Sequence, residues 1–212
     1  MTSPVRVLLA GVVGYALGTL PSAHAVARLN GVDLGTEGTG NPGAMNVKNL
    51  LGRTWGGVVA AGDVGKGVAA ARAGAAIAGP AGANVASTAA VAGHCFPPGR
   101  PGGKGVATSI GQVIGTYPAY LPLDIAVGYG TTRLPWFRSR TRAATTVASM
   151  TPVLACTLAW RRGWKGPGGV RQTVALPLGA VASSVVIAAR FAAEAENVDA
   201  YNLSLVPDEE AA

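Results

Sequence analysis

Two glycine-rich segments, residues 31–46 and 93–109, contain the groups best suited to bind a phosphate. Glycine at this density lets the backbone adopt positive φ angles and turn several N–H groups toward one anion. Hydrogen-bonding side chains lie among the glycines of the first segment. Its candidate binding residues are Gly38, Thr39, Gly40, Asn41, Gly43 and Asn46. The alternative interpretation is an ordinary turn, because Gly and Asn are also common turn residues.

The second segment ends in Gly102, Gly103, Lys104 and Gly105 and continues into an apolar stretch that contains Thr108. If that stretch is a helix, the N–H groups of its first turn face the segment, and Lys104 adds a full charge to the partial charge of the helix end. Phosphate is the expected ligand. A lysine that only marks the membrane-surface end of a helix is the alternative. The segment is not a Walker A loop, because Gly105 occupies the position of the magnesium-binding Ser or Thr.

Three ionisable residues, Asp63, Lys66 and His94, lie within or beside apolar stretches. Asp63 and Lys66 have the i, i+3 spacing that places both on one helix face, where they can pair. Such residues at membrane depth usually face the protein interior. The pair could lock two helices together, or Lys66 could approach a substrate. His94 could act as a general base near neutral pH, or it could only hold the helix–loop junction together through hydrogen bonds.

The sequence contains no Ser-His-Asp arrangement, no nucleophile elbow and no metal-ligand spacing. We therefore expect no metal and no cofactor. Any chemistry would depend on positioning and charge stabilisation instead of a covalent enzyme intermediate.

The elements that position these residues are expected to be membrane-spanning helices. Of the 212 residues, 49% are hydrophobic and only 13% are charged, against about 25% charged residues in soluble domains. A spanning helix needs about 20 mainly apolar residues. The candidate stretches are 7–27, 55–77, 81–93, 105–129 (two short helices parted near Pro118 and Pro122), 143–160 and 173–189. The prediction is an all-α polytopic membrane protein with about seven transmembrane helices and glycine-rich cytoplasmic loops.

We expect one integral-membrane domain over residues 1–192 and an acidic tail over residues 193–212. The tail carries six of the ten acidic residues and is expected to be solvated and partly disordered. The first stretch ends in Ala23-His24-Ala25, which resembles a signal-peptide cleavage site. A retained first helix is the preferred interpretation, because the rest of the chain also has the character of a membrane protein.

The basic residues favour a cytoplasmic location for the glycine-rich loops. With an external amino terminus, the inner loops would hold Arg28, Lys48, Arg53, Arg100, Lys104, Arg133, Arg138, Arg140 and Arg142. The basic loop 161–171 is discordant with this topology. The net charge of +7 does not indicate a nucleic-acid partner, because these cations flank membrane segments and lack interleaved aromatic residues.

Five short motifs together resemble the acyl-phosphate:glycerol-3-phosphate acyltransferase family of bacteria. They occur in the family's order and at compatible spacings within residues 8–120. The motifs are residues 14–21, residues 38–44, Asp63 with Lys66-Gly67, Gly93-His94 and residues 102–108. The resemblance implies a seven-helix plasma-membrane enzyme whose active site faces the cytoplasm. It would transfer a fatty acyl group from acyl phosphate to the 1-hydroxyl of glycerol-3-phosphate, giving lysophosphatidate and phosphate in phospholipid synthesis, without metal or coenzyme A thioester.

The resemblance also implies roles for single residues. Thr39, Asn46 and Lys104 fall on positions that contact the substrates' phosphates, and the surrounding glycines shape the pocket. Asp63 and Lys66 would support it.

Several positions depart from the family pattern. The family usually has Ser at the position of Thr39, Thr at that of Met45 and a phosphate-binding Arg at that of Asn49. Its third motif is matched only weakly, by residues 142–152, and its terminal Arg-His…Asn signature is absent apart from Arg190. A diverged member with another acyl acceptor or without catalysis is therefore an alternative. A small transporter is another, because charged residues within helices often mark ion paths.

Overall fold

A computed structural model describes residues 3–38, 40–134 and 141–204, and these residues form an all-helical protein. The helices are α1 (Pro4–Gly18), α2 (Ser22–Leu29), α3 (Ala44–Leu51), α4 (Arg53–Cys95), α5 (Val106–Thr116), α6 (Leu121–Arg133), α7 (Thr141–Arg161) and α8 (Ala175–Ser204). Short 3₁₀ turns lie at Pro118–Tyr120 and Pro167–Gly169. The predicted all-α class is confirmed.

The first apolar stretch is divided into two helices, α1 and α2, by residues 19–21. Pro21 has no backbone N–H and cannot continue the hydrogen-bond pattern of α1. The short connection leaves the carbonyls of Thr19 and Leu20 free to accept hydrogen bonds from the side chains of Arg100 and Lys66. This break therefore becomes part of the site described below.

Helix α4 is the centre of the fold and turns back on itself at residues 78–80. Gly79 has φ +61°, and Pro80 starts the second arm. A straight helix would separate Lys66 from His94 by about 42 Å at 1.5 Å per residue. In the structure Lys66 Nζ lies 3.2 Å from His94 Nδ1. Helix α4 is thus a hairpin of two arms, as the separate predicted stretches 55–77 and 81–93 anticipated.

Helices α1 and α5 pack closely against the two arms of α4. A Cβ atom on Gly14 of α1 would overlap the carbonyl group of Ala86 in the second arm. A Cβ atom on Gly111 of α5 would overlap the carbonyl oxygen of Val64 in the first arm. Small residues at helix crossings allow the backbone approach that is common in membrane proteins.

The predicted pair of short helices in residues 105–129 is observed as α5 and α6. They are parted at Pro118, whereas Pro122 lies in the first turn of α6 and does not break it. Pro is tolerated at a helix start, because the first N–H groups have no partner within the helix. An apolar cluster joins α5 and the turn after it to α7 and α8 through Val113, Tyr117, Tyr120, Cys156, Ala159, Leu176 and Ala180.

In the part of the chain that the structure describes, three helical segments are long and apolar enough to cross a membrane, at residues 4–29, 53–95 and 175–193. Large apolar side chains point outward from α1 and α8, including Leu8 (70% exposed) and Leu178 (61%). The number of seven spans stays a prediction. Helix α8 continues to Ser204, beyond the predicted domain boundary at residue 192. The last residues of the acidic tail lie outside the described ranges, and its predicted disorder is untested.

Candidate functional site

The two glycine-rich segments meet at one end of the helix bundle. Pro42 of the first segment and Gly102 and Gly103 of the second line the same cleft. Residues 18–24, Asp63, Lys66 and His94 complete its wall. The middle of the first α4 arm, the end of the second arm and the break between α1 and α2 therefore face the same space.

Lys66 is the centre of a buried polar cluster in this cleft. Its Nζ atom lies 2.8 Å from Asp63 Oδ1, 3.2 Å from His94 Nδ1 and 2.9 Å from the carbonyl oxygen of Leu20. His94 Nδ1 lies 3.6 Å from Asp63 Oδ1. Only 3% of Asp63 and 6% of Lys66 is exposed. The predicted Asp63–Lys66 pair is present, and an ammonium has three protons, so these neighbours are sufficient to occupy Lys66.

The segment 97–103 folds back over the end of α4 and is held there by glycines and two arginines. A Cβ atom on Gly103 would overlap the His94 ring, and the Gly103 N–H donates to the His94 carbonyl at 3.1 Å. Arg190 of α8 donates to the Gly102 carbonyl through Nη2 at 2.7 Å and Nε at 3.3 Å. Arg100 donates to the Thr19 carbonyl. The segment is therefore linked to α4, α8 and the α1–α2 break.

Lys104 follows this segment and lies at the start of α5. It is half-buried, and its Nζ atom lies 5.0 Å from the ring centroid of Phe191 in α8. The next residue, Gly105, has φ +82°, which favours glycine, and caps α5. The N-terminus of α5 is thus next to Lys104, as predicted.

The first segment is shaped by positive-φ glycines and by Asn46. Gly38 has φ +66° and Gly40 has φ +67°. Asn46, buried in the first turn of α3, packs against Gly38 and donates through Nδ2 to the Glu37 carbonyl at 3.4 Å. Asn41 is half-buried beside Pro42, and Gly43 caps α3. Thr39 lies outside the described residues.

Thr108 is placed differently from the other predicted binding residues. It is fully buried between α5 and the first arm of α4, where its carbonyl oxygen adjoins Gly67. It lines neither the cleft nor the apolar cavity described below. A role of Thr108 in substrate binding stays a prediction.

The cleft has a volume of about 20 Å³, which is close to the space that one water molecule needs. A phosphate group does not fit in this space with the two glycine-rich segments in their present positions. Among the described residues, no group of three or more His, Cys, Asp or Glu side chains is arranged to hold a metal ion.

A second and much larger cavity lies between α5, α6, α7 and α8, with a volume of about 630 Å³. Val106, Val113, Leu176 and Ile187 contribute to its mainly apolar lining. Phe191 lines it as well, and this is the ring beneath Lys104. Lys104 lines neither space itself but is adjacent to both, because its neighbour Gly103 lines the cleft and Phe191 lines the cavity.

Sequence reasoning did not identify this cavity or the anchoring roles of Arg100 and Arg190. The signals available were weak. Gly128, Ala148 and Ser149 are small residues that line the cavity, but small residues occur throughout the chain. Arg100 lies within the Pro- and Gly-rich segment 97–103, but the sequence did not indicate which group its side chain contacts.

The comparisons with known proteins all indicate the same family. The family model described as glycerol-3-phosphate acyltransferase matches residues 8–198. A glycerol-3-phosphate acyltransferase of Clostridioides difficile is 38% identical over 129 residues, which are 57% of this chain and 63% of the relative. One from Hydrogenovibrio crunogenus is 44% identical over 124 residues, covering 56% of this chain and 58% of the relative. The chain thus matches somewhat less than two thirds of the length of these relatives.

Longer matches extend the similarity. A glycerol-3-phosphate acyltransferase of a Jannaschia species is 35% identical over 161 residues, covering 74% of this chain and 78% of the relative. The fold is similar to that of PlsY, an integral membrane glycerol 3-phosphate acyltransferase, in its glycerol 3-phosphate form. That comparison has a TM-score of 0.69 and 27% identity and covers 93% of this chain and 92% of PlsY. The lysophosphatidic acid form of PlsY gives a TM-score of 0.70. The chain therefore belongs to the glycerol-3-phosphate acyltransferase family.

Proposed function

We propose that this protein is an integral membrane enzyme that transfers a fatty acyl group from acyl phosphate to the 1-hydroxyl of glycerol-3-phosphate. The products are lysophosphatidate and inorganic phosphate. The observation that carries this proposal is the position of Lys104, between a glycine-rich cleft and a large apolar cavity. A substrate with a phosphate at one end and a hydrocarbon chain at the other fits that arrangement.

The phosphate end is supported by charge and by backbone geometry. Lys104 supplies a positive charge, and the first N–H groups of α5 lie next to it. Gly38 and Gly40 give the first segment the positive φ angles of an anion-binding nest. With the first segment moved outward, the two segments together can hold the phosphates of both substrates.

The hydrocarbon end is supported by the volume and lining of the cavity. About 630 Å³ is within the usual range of roughly 300–1,000 Å³ for ligand pockets. Each buried methylene stabilises binding by about 0.8 kcal/mol. An acyl chain that enters beside Phe191 has its carbonyl near Lys104 and its methylenes between α5 and α8.

The reaction needs positioning and charge stabilisation. The glycerol hydroxyl oxygen attacks the acyl carbonyl carbon, and an ester C–O bond forms. The bond between that carbon and the phosphate oxygen breaks, and phosphate leaves with the electron pair. The hydroxyl proton passes to a phosphate oxygen of a substrate. Lys104 stabilises the negative charge that grows on the departing phosphate. The Asp63–Lys66–His94 cluster holds the α4 arms and the second segment in place for this step.

We further propose that the cleft faces the cytoplasm of a bacterial cell. The segments on the cleft side carry Arg28, Lys48, Arg53, Arg100 and Lys104, and basic loops are retained on the cytoplasmic side. The basic loop 161–171 lies at the opposite end of α5, since Gly166 adjoins the Thr116 carbonyl. It remains the discordant part of this topology.

One observation favours a second candidate, a diverged member with another acyl acceptor. Met45 and Asn49 replace the Thr and Arg of the family pattern, and both side chains are exposed on α3. Neither supplies the charge or hydroxyl that a glycerol phosphate would contact at those positions. An alcohol without a phosphate group, or one smaller than glycerol-3-phosphate, would then accept the acyl group.

The test uses purified protein in lipid nanodiscs with acyl phosphate and glycerol-3-phosphate, and measures phosphate and lysophosphatidate together. Equal amounts of both products support the main proposal. Phosphate release without lysophosphatidate supports the second candidate. Absence of both from a folded protein contradicts the proposed acyl transfer.

Lys104→Ala is expected to lower kcat by about 10²–10³-fold, as the loss of one charge-stabilising donor does in other enzymes. The matched control is Lys165→Ala, which removes an exposed lysine from the opposite end of the bundle. Unchanged kcat in Lys104→Ala, with the same Tm as the wild type, would remove Lys104 from the site.

A further inference from the structure

Among the described residues that line the apolar cavity, Asn84 has a buried polar atom without a hydrogen-bond partner. Asn84 lines the cavity from the second arm of α4 and is only 1% exposed. Among the described residues, its Oδ1 atom has no hydrogen-bond partner. A buried amide oxygen without a donor destabilises the protein in an apolar environment, where no solvent compensates for the missing bond.

The orientation of the Asn84 amide is fixed by its other end. Nδ2 donates to the Pro80 carbonyl at 2.8 Å. A carbonyl oxygen only accepts hydrogen bonds, so the NH₂ group must face Pro80, and Oδ1 must be the remaining atom. Because Asn84 lines the cavity, Oδ1 is the atom through which its side chain can accept a hydrogen bond from a molecule there.

Two other polar residues of the cavity wall, Gln112 and Ser109, already have partners. Gln112 donates through Nε2 to Thr88 Oγ1 at 3.0 Å and accepts at Oε1 from the Ser183 hydroxyl at 2.7 Å. Ser109 donates to the Val106 carbonyl at 2.8 Å. Asn84 is different, because no donor of the described residues reaches its Oδ1 atom, and a molecule in the cavity can supply one.

We propose that Asn84 determines acyl-chain specificity by accepting a hydrogen bond from a hydroxyl group on the chain. This inference rests on the proposed function, since it takes the cavity as the site of the acyl chain. A hydroxyl inside hydrocarbon is as costly to leave unpaired as the amide oxygen, so each group satisfies the other. The preferred ligand is a long chain with a hydroxyl in its distal part.

The depth of Asn84 sets where that hydroxyl must lie. At a helical rise of about 1.5 Å per residue, Asn84 lies about 16 Å from Cys95 at the cleft end of the same arm. With C–C bonds of about 1.5 Å at tetrahedral angles, an extended chain advances about 1.25 Å per carbon. A chain whose carbonyl is beside Lys104 therefore reaches that depth about twelve to thirteen carbons from the carbonyl. A hydroxyl close to the carbonyl would remain near the cavity mouth and miss Asn84.

The experiment measures binding without turnover. Purified protein in nanodiscs is saturated with tritiated octadecanoate, and the bound label is displaced by octadecanoate, by its 12-hydroxy derivative or by its 3-hydroxy derivative. The wild type is expected to bind the 12-hydroxy chain about three- to tenfold more tightly than the plain chain, which is the range of one hydrogen bond. The 3-hydroxy chain should have no such advantage.

Asn84→Leu keeps a similar side-chain volume and removes the acceptor, so the advantage of the 12-hydroxy chain should disappear. The matched control is Ser109→Ala, which removes a hydroxyl from the same cavity wall and should retain the advantage. The ratio of two affinities within one preparation does not depend on the fraction of folded protein, so a destabilised variant still gives an answer.

Equal affinity of the wild type for the plain and 12-hydroxy chains would overturn the inference, and so would an advantage that survives in Asn84→Leu. Because the measurement needs no acyl acceptor, its outcome is separate from that of the acyl-transfer assay. A protein that prefers the hydroxylated chain but transfers no acyl group would contradict the proposed reaction and support the role of Asn84.

Discussion

The cleft and the cavity handle polarity in opposite ways. The cleft has little free volume, and its charged groups Asp63 and Lys66 contact each other and the surrounding protein. The cavity has about 630 Å³ of free volume and a mainly apolar wall. A charged site must fix its groups in place, because a buried charge without a partner is costly. A hydrocarbon site needs only volume. Substitutions at the cleft should therefore affect stability and rate, and substitutions at the cavity should affect which chain is used.

The largest effect is expected from Lys66→Met, which leaves the Asp63 carboxylate buried without its ammonium partner. Removing one member of a buried ion pair typically costs about 3–5 kcal/mol. The measurement is the Tm of the purified protein and the yield of monodisperse protein in detergent.

The double variant Asp63→Asn with Lys66→Met removes both charges and is expected to be more stable than Lys66→Met alone. If Lys66→Met has the Tm of the wild type, the Asp63–Lys66–His94 cluster does not stabilise the protein. That result would contradict the view that the charged groups of the cleft must be held by their partners.

An intermediate effect is expected from Gly111→Ala, because the new Cβ would overlap the carbonyl oxygen of Val64 at the crossing of α5 and α4. Overpacking of this kind typically costs about 1–3 kcal/mol. Gly65→Ala is the matched control, since no heavy atom lies within 4 Å of the added methyl. It should stabilise the protein by about 0.5–1 kcal/mol, because alanine restricts the unfolded chain more than glycine does. Equal Tm values for the two variants would contradict the close crossing.

The smallest effect is expected in the cavity, from Gly128→Phe. Gly128 lines the cavity, and a Cβ there meets no atom within 4 Å, so the ring fills free space. We expect a shift of about four- to fifteenfold in kcat/KM toward shorter acyl phosphates, as the loss of one or two buried methylenes would give. Gly130→Phe is the control, because Gly130 is open but does not line the cavity. A similar shift in both variants would show that the cavity does not hold the chain.

Local spacing in the sequence was sufficient to predict part of the fold and part of the site. The i, i+3 spacing of Asp63 and Lys66 predicted their pairing, and Pro118 predicted the separation of α5 from α6. Both features depend on residues that are close in the chain, where helix geometry alone fixes the distance.

The remaining features depend on contacts between distant residues. His94 reaches Lys66 only because α4 turns at Gly79, and Arg190 reaches Gly102 from 88 residues away. Thr108 lies within a motif that indicated phosphate binding, but it is fully buried and lines neither the cleft nor the cavity. No local pattern specifies a cavity between four helices, since its volume depends on how all of them pack.

The hairpin form of α4 has a consequence for biogenesis. Its second arm, residues 80–95, is about 24 Å long at the α-helical rise, which is shorter than a bilayer core of about 30 Å. Its first arm carries Asp63, Lys66 and Arg72, and isolated charges insert poorly. The two arms should therefore leave the translocation channel together, with Lys66 already next to Asp63 and His94. The residues that shape the cleft would then also make insertion of α4 into the membrane favourable.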